Sequence, residues 1–539
     1  VVLGTSCSDV LDLNPADRFS PATVWSTTTT ADKYVIGLYS IFGANTEMRG
    51  GDAYASPRLS DAYSDILKST SWNQYNHNFN ATLLQETAFN SNSAGAFECW
   101  SSHYDRIRRE NEFLRDAAEF GSKFGEDWLK IRIAEVRFCR AYAYFMLCRV
   151  YGGVILRTEV DGPEQNDKAR STEEECWGFI INELKELAPD LPLKWDSDNS
   201  GRATQKAAYG LLSRVALYAE KWDIAAQAAR DCATAEGNLD LSENGYAKIF
   251  ELGINSPEVL FAVEFKSSVI DHAYDAYVRP SGDTKELGKQ VYSGFVPTSE
   301  LVDSYEMAGD GGNFSWEKHG KDPYANREPR FYATILYNGA DWMGRKIESF
   351  VGGKDGYKAY ENAGAAGTTV TGYYLRKYLI DGDKTWVTSG SGQDWIVLRY
   401  AEVLLNKAEA LAMENWNKNS AEALQALNDV RARVGLPARA TADKETFLEY
   451  VRHERKVELA GEGFRYWDLR RWRLAEKVID GQNVHGVKIS KQSDGSFTYE
   501  QVDADGGHKR IFYDRYYRFA IPLSERSNNS LCTNNDGWI

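Results

Sequence analysis

Residues 202–233 read RATQKAAYGLLSRVALYAEKWDIAAQAARDCA. Ala208, Leu211, Leu212, Val215 and Leu217 recur at the spacing of one helix face. Lys221, Trp222 and Asp223 make a tight connection. Ile224, Ala225, Ala228, Ala229 and Cys232 then line a second helix. Small residues at the facing positions let two antiparallel helices approach closely, so the stretch predicts a helical hairpin.

A second copy lies at 398–437, LRYAEVLLNKAEALAMENWNKNSAEALQALNDVRARVGLP. There Ala401, Leu404, Leu405, Ala408 and Leu411 face Ala421, Ala423, Leu424, Leu427 and Val430. Such hairpins are of the tetratricopeptide type, whose continuous arrays repeat every 34 residues. Copies nearly 200 residues apart instead predict a helical scaffold interrupted by long insertions. The stretch 131–153 adds a long helix, with Ile131, Ala134, Phe138, Ala141, Phe145 and Cys148 on one stripe and Gly152 and Gly153 as its stop. The fold class is therefore mainly α, with irregular insertions carrying short strands. Residues 69–97 are rich in Asn, Ser and aromatics. Residues 266–395 are rich in Gly, Tyr and Trp, with strand-like runs RFYATILYN and TGYYLRKYLI. Long irregular segments inside a compact body tend to carry function.

Bulk properties narrow the field. The 539 residues carry a net charge of −15, a balance that argues against nucleic acid and favours neutral or cationic ligands. No apolar run approaches the ~18 residues that span a bilayer. Aromatics make up 13% of the chain, with 15 Trp and 31 Tyr, more than a core alone requires, and flat aromatic faces suit sugar rings. The seven cysteines form no C-x-x-C pair, so neither a zinc site nor a disulfide framework is expected. HERKVE (453–458) lacks the second His of a zinc protease, and no phosphate-binding, dinucleotide or nucleophile-elbow motif occurs. No cofactor, metal or catalytic residue is expected. GEGFRYWDLRRWR (461–473) interleaves Arg with Tyr and Trp as nucleic-acid readers do, yet it reads better as a helix start where Arg pairs with Glu458, Glu462 or Asp468 and stacks on Trp.

Six segments in order resemble the SusD/RagB family of outer-membrane nutrient-binding lipoproteins. They are CSDVLDLNPADRFSP from Cys7, WSSHYDRIRRENEFL (100–114), residues 128–151, LRYAEVLLNKAEAL (398–411), ERKVELAGEGFRYWDLRRW (454–472) and YRFAIPLSERSNNSLCTNNDGW (517–538). The resemblance implies a SusD-like fold and a non-catalytic surface protein that binds oligo- or polysaccharide and delivers it to a SusC-like TonB-dependent transporter. It implies lipid anchoring at Cys7 on the extracellular face of the outer membrane, although Gly4 stands where the family's lipobox has a bulky residue. On this reading residues 1–6 are a signal-peptide remnant and 7–25 a tether. Residues 26–265 are then an N-terminal helical region, and 266–539 a C-terminal region containing the large insertion. A RagB-like peptide binder and a glycoside hydrolase are the competing readings.

The ligand site is expected on the insertions. Trp72, in the polar loop SWNQYNHN, is the first candidate, with Asn73, Tyr75 and Asn78 beside it. Tyr274, Tyr277, Tyr292, Trp316 and Trp342 are platform candidates in the large insertion, and Asp61, Asp65 and Arg345 are rim candidates. Trp100, Trp222 and Trp395 sit on periodic apolar elements and are expected in the core.

Overall fold

The stretch 202–233 does fold as a helical hairpin. In the computed structural model, which describes residues 20–48, 59–70, 89–162, 167–359 and 368–538, it is one step in a chain of packed helices. After α1 (Thr28–Leu38) come α2 (Trp100–Phe120), α3 (Glu126–Tyr151), α4 (Glu173–Leu187), α5 (Gln205–Tyr218) and α6 (Trp222–Thr234). Each of α2 to α6 packs on the next. Local chemistry sets their ends. Thr172 and Glu175 form a reciprocal capping box at the start of α4, whose first turn carries three glutamates toward the positive end of the helix dipole. Thr204 caps α5. Gly152, at φ +76°, ends α3 in a backbone conformation that a side chain would oppose.

The second hairpin is α7 (Tyr400–Arg433), a pair of helices joined at Asn415, where the backbone turns extended. It packs directly on α6 and α5 and then on α8 (Lys444–Glu458). Arg214 on α5 pairs with Glu402 on α7 at 2.6 Å, and Arg230 on α6 pairs with Glu422 at 2.8 Å. Hairpins far apart in sequence are thus neighbours in space. Ala207, Ala208, Ala225, Ala228 and Ala229 are all buried at these faces, and their small side chains permit the close approach. A short α9 (Arg465–Arg471) follows α8.

Among the described residues, ten short strands make five two-stranded sheets: β1 (Leu67–Ser69) with β3 (Phe295–Pro297), β2 (Val259–Val263) with β8 (Trp395–Arg399), β4 (Ile335–Leu336) with β7 (Tyr374–Leu375), β5 (Asp341–Trp342) with β6 (Arg345–Lys346), and β9 (His485–Lys491) with β10 (Phe497–Asp503). All pair antiparallel. The β2–β8 pair explains how a long insertion is tolerated. The chain leaves the scaffold at β2 and re-enters it alongside, at β8. Two strand expectations need correction. RFYATILYN begins as a helix (Pro329–Thr334), started by the proline at its first position, and is extended only at Ile335–Leu336. TGYYLRKYLI is strand only at Tyr374–Leu375. The β9–β10 hairpin, the longest among the described residues, carries no strong sequence signal because its outer strand is mostly polar and exposed.

Insertion and scaffold are joined by a buried ionic layer. Arg399 contacts Glu258, Glu458 and Glu462 at 2.6–2.9 Å. Arg330, from the insertion, contacts Glu328, Glu454 and Glu458 at 2.5–2.9 Å. Arg431 bridges Glu306 and Glu454, Arg433 meets Glu258 and Glu458, and Lys377 meets Glu462. Each of these charges meets an opposite one, which offsets the cost of taking it out of water. The six described cysteines are buried free thiols. Trp100 and Trp395 are core residues as expected, while Trp222 is only partly buried.

Candidate functional site

The β1–β3 pair brings two sequence-distant segments together. Leu67, Lys68 and Ser69 lie opposite Pro297, Val296 and Phe295. Thr70 extends the ladder by donating its N–H to the Gly294 carbonyl at 3.0 Å. From Thr70 the chain enters the stretch that holds Trp72, Asn73, Tyr75 and Asn78, and these four lie outside the described residues. On the β3 side, Tyr292 donates its N–H to the Ala276 carbonyl (2.8 Å), and Gly294 donates to that of Tyr277 (2.6 Å). These bonds lock the 292–294 turn onto the short helix Tyr274–Val278 and set the Tyr277 and Tyr292 rings 4.8 Å apart, tilted by 39°. Tyr277 is buried and Tyr292 half-buried, so the pair is an anchored ring carrying a second, more accessible one.

Beneath it lies a fully buried guanidinium. Arg279 is sandwiched between the rings of Trp342 (5.1 Å) and Trp386 (5.2 Å). It pairs with Asp275 at 2.8 Å and Asp283 at 3.4 Å, and donates to the Ile380 and Asp383 carbonyls. The Ser293 hydroxyl donates to its backbone carbonyl at 3.0 Å, tying this layer to the tyrosine turn. The layer accounts for three candidate residues. Trp342, expected at a ligand face, is wholly interior, and its indole N–H donates to Asp283 at 3.0 Å. Arg345, expected at a rim, spans Asp283 (2.8 Å) and Asp355 (2.6 Å). Burial opposes its charge, and the two carboxylates overcome that and raise its pKa. Tyr274 is also wholly interior, donating its hydroxyl to the Lys377 carbonyl at 3.0 Å. These side chains hold the lobe together; in this conformation Trp342 and Tyr274 present no surface to a ligand.

Asp61 and Asp65 are placed elsewhere, against α9. Asp61 is fully buried and accepts the backbone N–H groups of Gly461 (2.9 Å), Gly463 (3.2 Å) and Arg465 (2.9 Å). Burial pushes its carboxyl up to about 6 despite those donors. Asp65 accepts two bonds from Arg465 at 2.8 and 3.0 Å and lies 3.4 Å from Lys456. Burial opposes its charge, but these cations hold its pKa well below the usual range. Both are anchors, not rim residues. Arg465 therefore pairs with Asp65 and not with a nearby glutamate, whereas Arg471 pairs with Asp468 at 2.8 Å as expected. Trp316 stands apart from the tyrosine pair. It is half-buried, donates to Asp303 at 2.9 Å, and sits edge-on to Phe314 and 5.9 Å from Tyr499 of β10.

Sequence reasoning missed Arg279 and Trp386, which support the tyrosine pair. A buried Arg between two Trp carries no local signal, because the tryptophans come from positions 63 and 107 residues further on. The carboxylates below the rings, Asp275 and Asp283, are fully buried and tied to Arg279, so neither can reach a bond in a bound ligand. Among the described residues, no cluster of three or more His, Cys, Asp or Glu side chains is placed to hold a metal ion, and no helix is long and apolar enough to cross a bilayer.

Comparison with known proteins bears on the whole chain. A family model described as "SusD family" matches residues 257–538, and one described as "Starch-binding associating with outer membrane" matches residues 9–217. A SusD-like protein of Bacteroides ovatus is 25% identical over 535 residues, covering 94% of this chain and 88% of that protein. Among solved structures, a SusD-like protein from Bacteroides fragilis superposes with a TM-score of 0.81 at 28% identity, covering 96% of this chain and 98% of the other. A second B. fragilis structure, described as a SusD-like carbohydrate binding protein, gives a TM-score of 0.78 at 24% identity, covering 94% and 99%.

Proposed function

The chain belongs to the SusD family, and on that premise we propose that it is a non-catalytic carbohydrate-binding protein of the outer membrane. The observation that carries the reading is the Tyr277–Tyr292 pair. It stands beside the β1–β3 ladder, and its outer ring is half-buried. A sugar ring has a face of axial C–H bonds that packs on an aromatic ring, and its equatorial hydroxyls take hydrogen bonds at the rim. Stacking of comparable flat ligands on aromatic side chains contributes ~1–3 kcal/mol per ring. We assign Tyr292 as one platform, Trp72 as its partner from the other segment, and Asn73, Tyr75 and Asn78 as rim groups. A rigid, preformed platform loses little entropy on binding.

The finer reading follows the family. Cys7 is the lipid attachment point, the protein lies on the extracellular face, and it hands oligosaccharide to a SusC-like TonB-dependent transporter. What supports the non-catalytic reading is that the carboxylates beneath the rings, Asp275 and Asp283, are buried and ion-paired. Affinity electrophoresis through a panel of polysaccharides tests the reading. Wild type should be retained by its cognate glycan without releasing reducing sugar. Tyr292→Ala and Trp72→Ala should each weaken retention by about 5- to 150-fold while circular dichroism stays unchanged. Unchanged retention in both variants overturns the site, and released sugar overturns the non-catalytic assignment.

A further inference from the structure

A second cavity lies within the helical scaffold, away from the tyrosine pair. It is open to solvent, has a volume of about 470 Å³, and is walled by α3, α4, α5, α7, α8 and the segment around α9. That volume falls in the range of small-molecule sites, roughly 300–1,000 Å³. Although the chain as a whole is acidic, seven Arg and Lys side chains and only four glutamates line this cavity. Three of the glutamates are already bound: Glu173 to Arg518 at 2.5 Å, Glu409 to Arg471 at 2.5 Å and Glu174 to Lys221 at 3.4 Å.

Arg149, Arg470 and Arg473 form no ion pair with a described residue; Arg473 lies over the Tyr517 ring, and the other two share the ring of Trp467. Arg149 lies 4.0 Å over the ring of Trp467 and forms no hydrogen bond or ion pair with a described residue. Arg470 lies 4.8 Å over the same ring and is only 4% exposed. One of its nitrogens donates to the Tyr517 carbonyl at 2.8 Å, while its Nε and the other Nη have no partner, nor does the indole N–H of Trp467. Burial lowers the Arg470 pKa to about 10, and the nearby Arg518 and Arg149 charges push the same way. Several like charges around one indole, with buried donors unmet, cost free energy in the empty protein. An oxyanion would satisfy both the charge and the donors. Trp177, Trp222 and Trp472 complete the wall and offer apolar faces to the ring that carries the anion.

We propose that this cavity binds an anionic sugar unit, its carboxylate or sulfate held by Arg149 and Arg470 and its ring against the tryptophans. The site is separate from the tyrosine platform, so it stands or falls independently of glycan retention there.

Tryptophan emission of the full chain, titrated at fixed ionic strength with glucuronate, inorganic sulfate and glucose, tests it. A saturable change is expected with glucuronate and with sulfate, tighter for glucuronate, and none with glucose. Arg149→Gln should weaken glucuronate at least tenfold, and it should fold normally because no ion pair is broken. Arg470→Met should do the same, with circular dichroism confirming its fold. An equal response to glucose, a response to sulfate alone, no response to any probe, or wild-type affinity in Arg149→Gln each overturns the proposal.

Discussion

Replacing Glu458 by glutamine removes the carboxylate that touches three buried arginines: Arg330 at 2.9 Å, Arg399 at 2.6 Å, and Arg433. The layer around it is balanced. Glu258, Glu306, Glu328, Glu454, Glu458 and Glu462 face Arg330, Arg399, Arg431, Arg433, Arg439 and Lys377. All but Arg439 are essentially inaccessible to water. Removing one carboxylate from such a pairing strands positive charge in the interior, at about 3–5 kcal/mol. Unfolding entropy is about 2.1 cal/mol/K per residue, so 539 residues unfolding in one transition give about 1.1 kcal/mol/K. The expected fall in Tm is therefore about 3–4 °C by calorimetry. Glu449→Gln, at a side chain 71% exposed, is the control and should change stability by less than about 0.5 kcal/mol. Burial opposes the Glu458 charge, but the three guanidiniums hold its pKa well below 4.5. Its contribution is thus fully present above the unfolded value and lost as pH falls toward the folded one, so the gap between variant and wild type should narrow below about pH 4.5. If Glu458→Gln melts within 1 °C of the control at pH 7, the layer does not hold lobe and scaffold together and the reasoning fails.

Three further outcomes follow from the structure. Glu110 of α2 is buried with both carboxylate oxygens unpartnered, and burial pushes its pKa up to about 8 against 4.5 unfolded, even with Arg140 and Arg106 nearby. Folding therefore retains a proton between pH 4.5 and 8, and at about 1.4 kcal/mol per pH unit wild type should lose up to ~5 kcal/mol relative to Glu110→Gln across that window; parallel denaturation curves for the two at pH 5 and pH 8 would refute this. Trp342→Phe removes the indole bond to Asp283 and weakens the stack on Arg279, so it should destabilise by ~1–3 kcal/mol in urea unfolding yet keep wild-type glycan retention; a retention loss with unchanged stability would make Trp342 a ligand contact after all. Gly372 sits at φ +80°, with a Cβ position 2.3 Å from the Val487 carbonyl, so Gly372→Ala should cost at least ~1–2 kcal/mol, read as a lower urea midpoint.

The sequence by itself determined the helical scaffold and its interruption. Periodic apolar faces and alanine-rich contact positions at 205–234 and 400–433 are local signals, because a helix satisfies its own backbone within a few residues. The position of the insertion was legible for the same reason: periodicity stops before 266 and resumes after 395. Tertiary structure alone decided what the insertion's aromatics do. A tryptophan in an irregular segment reads the same whether it faces water or an arginine, and Trp342 faces an arginine because Arg279 and Asp283 from one stretch and Trp386 from another converge there. Likewise Asp61 and Asp65 looked like free rim carboxylates until residues 461–465, about 400 residues later, supplied the N–H groups and the guanidinium they bind. Long-range pairing of that kind leaves no spacing to read, and it separated Tyr292, which stays half-buried, from Tyr274 and Trp342, which are wholly interior.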